Sequence, residues 1–338
     1  MPQALTLQAF GLDHLHLAPI TLPTLGPNEV HVRFHAASLN YRDLMVVLCQ
    51  YNPQLAMPRI PGSDAAGEVL AIGAAVTSLK PGDRVASLFF QDWHDGPIQP
   101  STGKSALGGP IAGVFATERI LPAHGLIPIP DALTYEQAAT LPCAALTAWN
   151  ALVERGHLFA GQTVLTLGTG GISLFALQFA KAMGARVLVT SSSDEKLARA
   201  RTLGADELIN YRATPQWEEE VHKLTARRGV DHVIELGGAG TLPQSLKAVT
   251  PGGCVHVIGV LTGKGATIDP TPILAKSIQV HGIYVGSRGM FNRMLAAIEI
   301  NRLQPVIDRV FPLEDFRAAF QHLQAGAHFG KVVLSLDA

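Results

Sequence analysis

The chain has 338 residues, enough for two domains and a substantial core. Its 26 Lys and Arg balance 27 Asp and Glu, giving a formal net charge of −1 and no electrostatic case for a nucleic acid or an anionic membrane as partner. Hydrophobic residues make up 47%, which excludes a largely disordered protein, and three scattered cysteines (Cys49, Cys143, Cys254) exclude a disulfide framework. The opening Met1-Pro2-Gln3-Ala4-Leu5 lacks the pattern of a signal peptide, and no uncharged apolar run is long enough to span a bilayer. The expectation is a cytoplasmic protein acting on a small-molecule substrate.

In chain order, residues 1 to about 125 read as β-rich. Leu15, Leu17 and Ile20 mark an early strand, and residues 29–35 alternate polar and apolar. Residues 40–48 read as a short helix with Leu44, Val47 and Leu48 on one side. Residues 92–110 are polar, contain Gly and Pro, and read as a long loop. Residues 131–154 read as helical, with Asp131 and Thr134 as possible caps. From residue 163 onward strands alternate with helices. Strands are expected at 163–167, 186–190, 231–236, 254–260 (after the turn residues Pro251-Gly252-Gly253), 278–285 and 331–336. An amphipathic helix at 313–323 puts Leu313, Phe316, Phe320 and Leu323 on one face.

One junction carries chemistry. The apolar run Thr163-Val164-Leu165-Thr166-Leu167 leads into Gly168-Thr169-Gly170-Gly171-Ile172-Ser173. A helix follows, with Ile172, Phe175, Ala176, Phe179 and Ala180 at helical spacing, and then the strand Arg186-Val187-Leu188-Val189-Thr190. Strand, glycine turn, helix and strand make the first half of a dinucleotide-binding βαβ unit. Gly168 allows the sharp turn, and Gly170 lets the backbone approach a pyrophosphate. The N–H groups opening the helix then face the phosphate charge. Gly168, Thr169, Gly170, Gly171, Ile172 and Ser173 are therefore candidate cofactor contacts. Ser173 stands where the G-x-G-x-x-G pattern has its third glycine.

Three motifs, Gly62-Ser63-Asp64-Ala65-Ala66-Gly67-Glu68-Val69, Lys80-Pro81-Gly82-Asp83-Arg84-Val85 and the glycine turn, appear in the order found in the medium-chain dehydrogenase/reductase superfamily, which the chain resembles over nearly its whole length. The resemblance implies an α/β protein with a GroES-like β-barrel catalytic domain (1–130 and 286–338) and a Rossmann doubly wound parallel-sheet domain (131–285). Zinc-containing relatives carry a lobe of four close cysteines, and this chain has none between Cys49 and Cys143. Where such relatives place the ligands of a catalytic zinc, this chain has Asn40, Ser63 and Cys143, a poor donor set for zinc. No zinc is expected.

The run Ser38-Leu39-Asn40-Tyr41-Arg42-Asp43-Leu44, followed by Gln50-Tyr51-Asn52-Pro53, is similar to the zinc-free quinone oxidoreductases and enoyl reductases. That similarity implies substrate-facing polar roles for Asn40 and Tyr51, with Tyr41 as runner-up. Asn40 is equally a helix N-cap by type, and Tyr51 equally a packing aromatic. Cys49 stands where relatives often have glycine. Arg42 and Asp43 read as a structural ion pair.

For the cofactor, Ser191 occupies the position where NAD-selective folds carry an acid on the ribose. With Ser192, and with Lys196 and Tyr211 matching residues of the resembled quinone-reductase branch, it implies NADPH over NADH. The alternative is that the serines cap the next helix and Lys196 is a solvated surface residue. The resemblance further places the nicotinamide against Thr147, Gly237, Ile258, Gly259, Val260 and Tyr284, and implies a homodimer through strand 278–285. The expected function is hydride delivery from NADPH to a quinone or an α,β-unsaturated carbonyl. The alternatives are an alcohol or aldehyde oxidoreductase of the same superfamily, or a catalytically silent NADPH-binding protein.

Overall fold

The computed structural model describes residues 1–263, 265 and 267–337. It divides into two compact units, Met1–Ala144 with Gly286–Ala338, and Ala145–Val285. The first contains β1 (Gln3–Leu7), β2 (Leu15–Pro19), β3 (Glu29–Leu39), β4 (Asp64–Ile72), β5 (Arg84–Ser87), β6 (Glu118–Pro122) and β7 (Leu126–Pro128). The second contains β8 (Thr163–Leu167), β9 (Arg186–Ser191), β10 (Glu207–Asn210), β11 (Val230–Glu235), β12 (Val249–Val257) and β13 (Gln279–Gly282). The chain then returns to the first unit with β14 (Ile307–Pro312) and β15 (Lys331–Ser335).

β3 organises the first unit. Its first half alternates, with Val30, Val32 and Phe34 buried; its second half, Ala36 to Leu39, is buried on both faces. The sheet order is β14-β15-β3-β4-β5-β7, and β6 pairs with β3 as well. β15 thus lies between β14 and the second half of β3. The register of β3 on β4 slips between Phe34 and Ala36, and there Gly67 approaches β3 so closely that a Cβ would lie 1.9 Å from the Arg33 carbonyl oxygen. Only glycine fits that contact. The helix Phe316–Gln324, with the short turn before it, buries Leu313, Phe316, Phe320 and Leu323 in the same core, as the spacing predicts. Each such burial is worth roughly 1.5–3 kcal/mol.

The second unit is a parallel sheet in the order β10-β9-β8-β11-β12-β13. Chain progression reverses between β8 and β11, the crevice where open α/β sheets bind ligands at the carboxyl ends of their strands. On one face Leu165, Leu188, Val233 and Val255 join a single apolar core with Trp217 and Leu246.

Five expectations shift. The helix Tyr135–Ala139, capped by Thr134 in a capping box with Gln137, packs on β3 and β4, so the unit boundary falls after Ala144 rather than at 131. Asp131 is no cap: its carboxylate is exposed, 3.7 Å from Arg84. The rest of that helical region is Leu146–Trp149 between two π-helical stretches, Leu141–Ala145 and Asn150–Arg155. β12 begins at Val249, so Pro251-Gly252-Gly253 lie inside a strand that bulges (Gly252 φ +75) and do not precede it. β13 is only four residues long, and beyond it Val285 leaves extended geometry (φ +53) with its carbonyl held by Asn150 Nδ2 at 2.7 Å. No helix among the described residues is long and apolar enough to cross a membrane.

Candidate active site

β8 is buried throughout and ends at Gly168, whose φ of +77 is left-handed and whose missing Cβ would meet nothing within 4 Å. It is the conformation, and not a lack of room, that calls for glycine there. Gly170 is the extended N-cap residue of the twelve-residue helix Gly171–Ala182, and its cap position leaves the first N–H groups facing outward from the strand end. Thr169 is buried and Ile172 is partly buried. Ser173 departs from the expected ligand contact. It is fully buried and its hydroxyl donates to the Leu167 carbonyl (2.8 Å), so the side chain ties strand to helix and only its backbone N–H, in the first turn, is left to a ligand. Gly168 to Ile172, with that N–H, are the groups that could hold a pyrophosphate.

Across the crevice stands Glu235, a residue the sequence placed only as a strand position. It is fully buried at the end of β11. Its Oε1 accepts from Gly237 N (2.8 Å), Gly238 N (2.9 Å) and Thr241 Oγ1 (2.5 Å), and its Oε2 accepts from the Ser245 hydroxyl. Its backbone carbonyl accepts from the N–H groups of Ile258 (2.9 Å) and Gly259 (3.3 Å). One residue therefore gathers Gly237, Ile258 and Gly259 of the expected nicotinamide rim. Val260 and Tyr284, 40% and 41% exposed, lie outside the strands, and Thr147 is buried in the Leu146–Trp149 helix.

The ends of β9 and β10 come together, with Ser191 opposite Asn210 and Tyr211 N donating to the Ser191 carbonyl (3.1 Å). Ser191 is buried and its Oγ accepts from Ser193 N (3.3 Å). The cap of the helix Asp194–Thr202 is Ser193, which accepts from Lys196 N, so capping is real but does not employ Ser191 or Ser192. Asp194, the acid nearest this edge, is engaged by Asn210 Nδ2 at 2.7 Å. Partly exposed Ser192 and Lys196 and exposed Tyr211 border this edge, joined by Arg212, which the sequence reading missed.

The first unit holds the remaining candidates. Asn40 is the N-cap residue of the helix Tyr41–Val47, and its N–H donates to Asp43 Oδ2 at 2.8 Å. Its side-chain Oδ1 accepts from Lys331 Nζ (2.6 Å), which also donates to the Leu39 carbonyl (2.8 Å). Lys331 is 4% exposed, on β15. Ser63 donates to Asp64 Oδ1 (2.6 Å), and Cys143 N, freed from regular α-helical bonding by the π-helical stretch, donates to Asp64 Oδ2 (3.1 Å). Asp43 and Asp64 are both fully buried. Burial pushes Asp43 up to about 6 against the pull of Arg42, and raises Asp64 against the pull of Lys331. Burial and the Asp64 charge push the Cys143 thiol up to about 12.

The fit of a catalytic zinc can be judged on these atoms. Zinc needs deprotonated thiolate or free imidazole and carboxylate lone pairs. Here the Ser63 hydroxyl donates its hydrogen bond to Asp64 and Asn40 Oδ1 already accepts from an ammonium, so of the three only Cys143 is left to offer a ligand atom. The residues do not fit the ion.

Tyr51 is partly buried against the core of the first unit, 5.7 Å from the Arg42 guanidinium, which lies 4.2 Å over Phe89 and donates to the Leu107 carbonyl (2.5 Å). Arg42 and Asp43 are 3.8 Å apart, a loose pair. Cys49 keeps the left-handed conformation that glycine would favour (φ +61), so the loop before Tyr51 retains its turn. Tyr41 is 42% exposed.

Comparison with known proteins agrees with this architecture. Residues 26–131 match the family model described as alcohol dehydrogenase GroES-like domain, and residues 171–299 match that of zinc-binding dehydrogenase. A zinc-type alcohol dehydrogenase-like protein of Schizosaccharomyces pombe is 45% identical, covering 97% of this chain and 96% of its own. A quinone oxidoreductase-like protein 2 of Bos taurus is 30% identical, over 95% and 89%. The crystal structure of a putative alcohol dehydrogenase from Sinorhizobium meliloti 1021 superposes with a TM-score of 0.93 at 44% identity, over 99% and 98% of the two chains. The chain belongs to the medium-chain dehydrogenase/reductase superfamily of NAD(P)-dependent oxidoreductases.

Proposed function

We propose that the protein is an NADPH-dependent, zinc-independent reductase of quinones or α,β-unsaturated carbonyl compounds. The observation that carries this reading is the commitment of Asn40 to Lys331 and of Ser63 to Asp64, which leaves Cys143 alone of the three. Without a Lewis acid, an alkoxide loses its main electrostatic support. An acceptor that spreads the arriving charge onto a carbonyl or quinone oxygen needs only hydrogen-bond donors. Bound NADPH supplies the hydride. Gly168 to Ile172 hold the pyrophosphate, Ser192, Lys196, Tyr211 and Arg212 receive the 2′-phosphate, and Glu235 orders the nicotinamide rim. Asn40 lines the substrate side, and Tyr51 gives the proton that completes reduction.

A panel of quinones, enones, aldehydes and alcohols with NADPH and NADH tests the reading, together with metal analysis and turnover after chelation. Turnover on quinones or enones, faster with NADPH and indifferent to chelator, is expected. Chelator-sensitive alcohol oxidation would refute it in favour of the second reading, an alcohol or aldehyde oxidoreductase. The names of the Schizosaccharomyces and Sinorhizobium relatives favour that alternative. NADPH binding without turnover on any acceptor would favour a silent binding protein. Tyr51→Phe should lower enone turnover about 100-fold, and Lys196→Ala should weaken NADPH by about 10- to 100-fold while sparing NADH.

The homodimer belongs to this proposal too. β13 ends the sheet order and its exposed edge carries Val280, so it is available to pair with a second copy. Light scattering at micromolar concentration, with Val280→Pro expected to give monomers, tests it.

A further inference from the structure

Strands of a parallel sheet covered on both sides read as apolar on both faces. The face opposite the Leu165–Val233–Val255 core departs from that rule. His232 on β11 stands in register with Cys254 on β12, and His256, two residues along β12, stands in register with His281 on β13. Side chains alternate along a strand, so all four share one face. His232, Cys254 and His256 are 1%, 6% and 0% exposed.

Hydrogen bonds fix the protons on these rings. Phe159 N–H donates to Gln162 Oε1 (3.1 Å), so that atom is the amide oxygen, and His232 Nε2, 3.0 Å from it, is the donor. His232 Nδ1 is then a lone pair, and His256 Nε2, 3.2 Å away, carries the proton between the rings. His256 Nδ1 is left with no partner inside a fully buried ring. Burial pushes His232 down to about 4 and His256 well below its usual range, in keeping with neutral rings. A buried, unanswered nitrogen costs about 1–3 kcal/mol, which a merely structural pair of apolar residues would not.

We propose that His232, Cys254 and His256 form a binding site for a thiophilic divalent cation, Zn²⁺ foremost, inside the nucleotide-binding unit. The ligand-bearing atoms of the three residues lie within 4.8 Å of one another. With Zn–N bonds of about 2.0–2.1 Å, two nitrogens on a tetrahedral ion sit about 3.3 Å apart. The facing nitrogens of His232 and His256 are 3.2 Å apart, so the cation takes the place of the proton they now share. On binding, the His256 ring proton moves from Nε2 to the partnerless Nδ1, and the Cys254 thiol releases its proton to solvent. Gln162 holds the remaining N–H of His232, the support that ligating imidazoles use. His281 flanks the site from the edge strand with its Nδ1 also unpartnered. Two imidazoles and a thiolate select Zn²⁺ or Co²⁺ over Mg²⁺ or Ca²⁺. The ion would tie β11 to β12, and this inference does not depend on the proposed reaction.

The full-length protein, produced in minimal medium supplemented with Co²⁺ so that a closed site can load during folding, tests it. One equivalent of cobalt is expected, with intense tetrahedral d–d bands and a sulfur-to-cobalt charge-transfer band in the near ultraviolet. Cys254→Ser should abolish the charge-transfer band, and His256→Gln should lower Co²⁺ affinity at least about 100-fold. Cys143→Ser should leave spectrum and stoichiometry unchanged. Absence of the band in the wild-type protein, or its persistence in Cys254→Ser, overturns the site whether or not either variant folds well. A band lost in Cys143→Ser but kept in Cys254→Ser overturns it and the zinc-independent reading together. Chelator-sensitive turnover with the Cys254-dependent band intact would overturn only the latter.

Discussion

Each unit buries one polar cluster containing a cysteine, and the two differ in how charge is held. In the first unit, two carboxylates (Asp43, Asp64) lie with an ammonium (Lys331) and a guanidinium (Arg42), and Cys143 is a spectator whose N–H serves Asp64. In the second, His232 and His256 are neutral and share one proton, and Cys254 lies among their lone pairs. If both proposals hold, position in a family's metal site is a poor guide to metal. The first cluster brings its own cation and has spent its lone pairs; the second has lone pairs to spare.

The comparison breaks most visibly at Lys331. Lys331→Met leaves Asp64 and Asp43 buried without the ammonium, and should cost roughly 3–5 kcal/mol in urea unfolding. A loss below about 1 kcal/mol would mean the carboxylates are not balanced by it. Next comes pH. The folded pKa of Asp43 is raised to about 6, above its unfolded value of about 3.9, so the native state keeps a proton the unfolded chain has released. Its contribution is present below about pH 4 and is lost as pH rises through 6, by up to about 3 kcal/mol. Asp43→Asn removes that falling limb, so the variant should gain on the wild type between pH 4 and 7 in denaturant melts; parallel pH profiles would contradict a buried, proton-binding Asp43. The smallest effect is expected at Glu235, a buried carboxylate in the second unit answered by neutral donors alone. In Glu235→Gln the amide oxygen can keep Gly237, Gly238 and Thr241, while Ser245 turns to accept from the amide nitrogen. The expected loss is about 1 kcal/mol with little change in NADPH affinity by titration calorimetry. A large loss would show that the charge itself matters, as it does in the first unit.

Residues whose neighbours are close in sequence were legible, and those answered from far away were not. The Gly168 turn, the helix after Asn40 and the Leu313–Leu323 apolar face follow from local spacing, and each appears where the pattern puts it. Lys331 reads as the first residue of a closing strand; nothing nearby says that its ammonium meets Asn40, 291 residues earlier. Glu235 and His256 likewise read only as strand positions, because periodicity names a face and not the partner across it. Ser173 shows the converse: a motif position predicted a ligand contact, and a bond to Leu167 six residues back took the hydroxyl first. β13 stops at Gly282, and the segment beyond it is held at the Val285 carbonyl by Asn150, 135 residues away.

The place of β15 in the sheet has a consequence in time. β15 supplies both the partner of β3 and the ammonium for the buried acids, yet it is synthesised after the whole second unit. At about 5–20 residues per second, the 291 residues between Asn40 and Lys331 take about 15–60 s on the ribosome. Throughout that interval the nascent first unit has an open edge on β3 and Asp64 lacks the Lys331 ammonium, while the second unit is free to complete its sheet. The nucleotide-binding half can be finished at birth, and the half that would decide the substrate closes last.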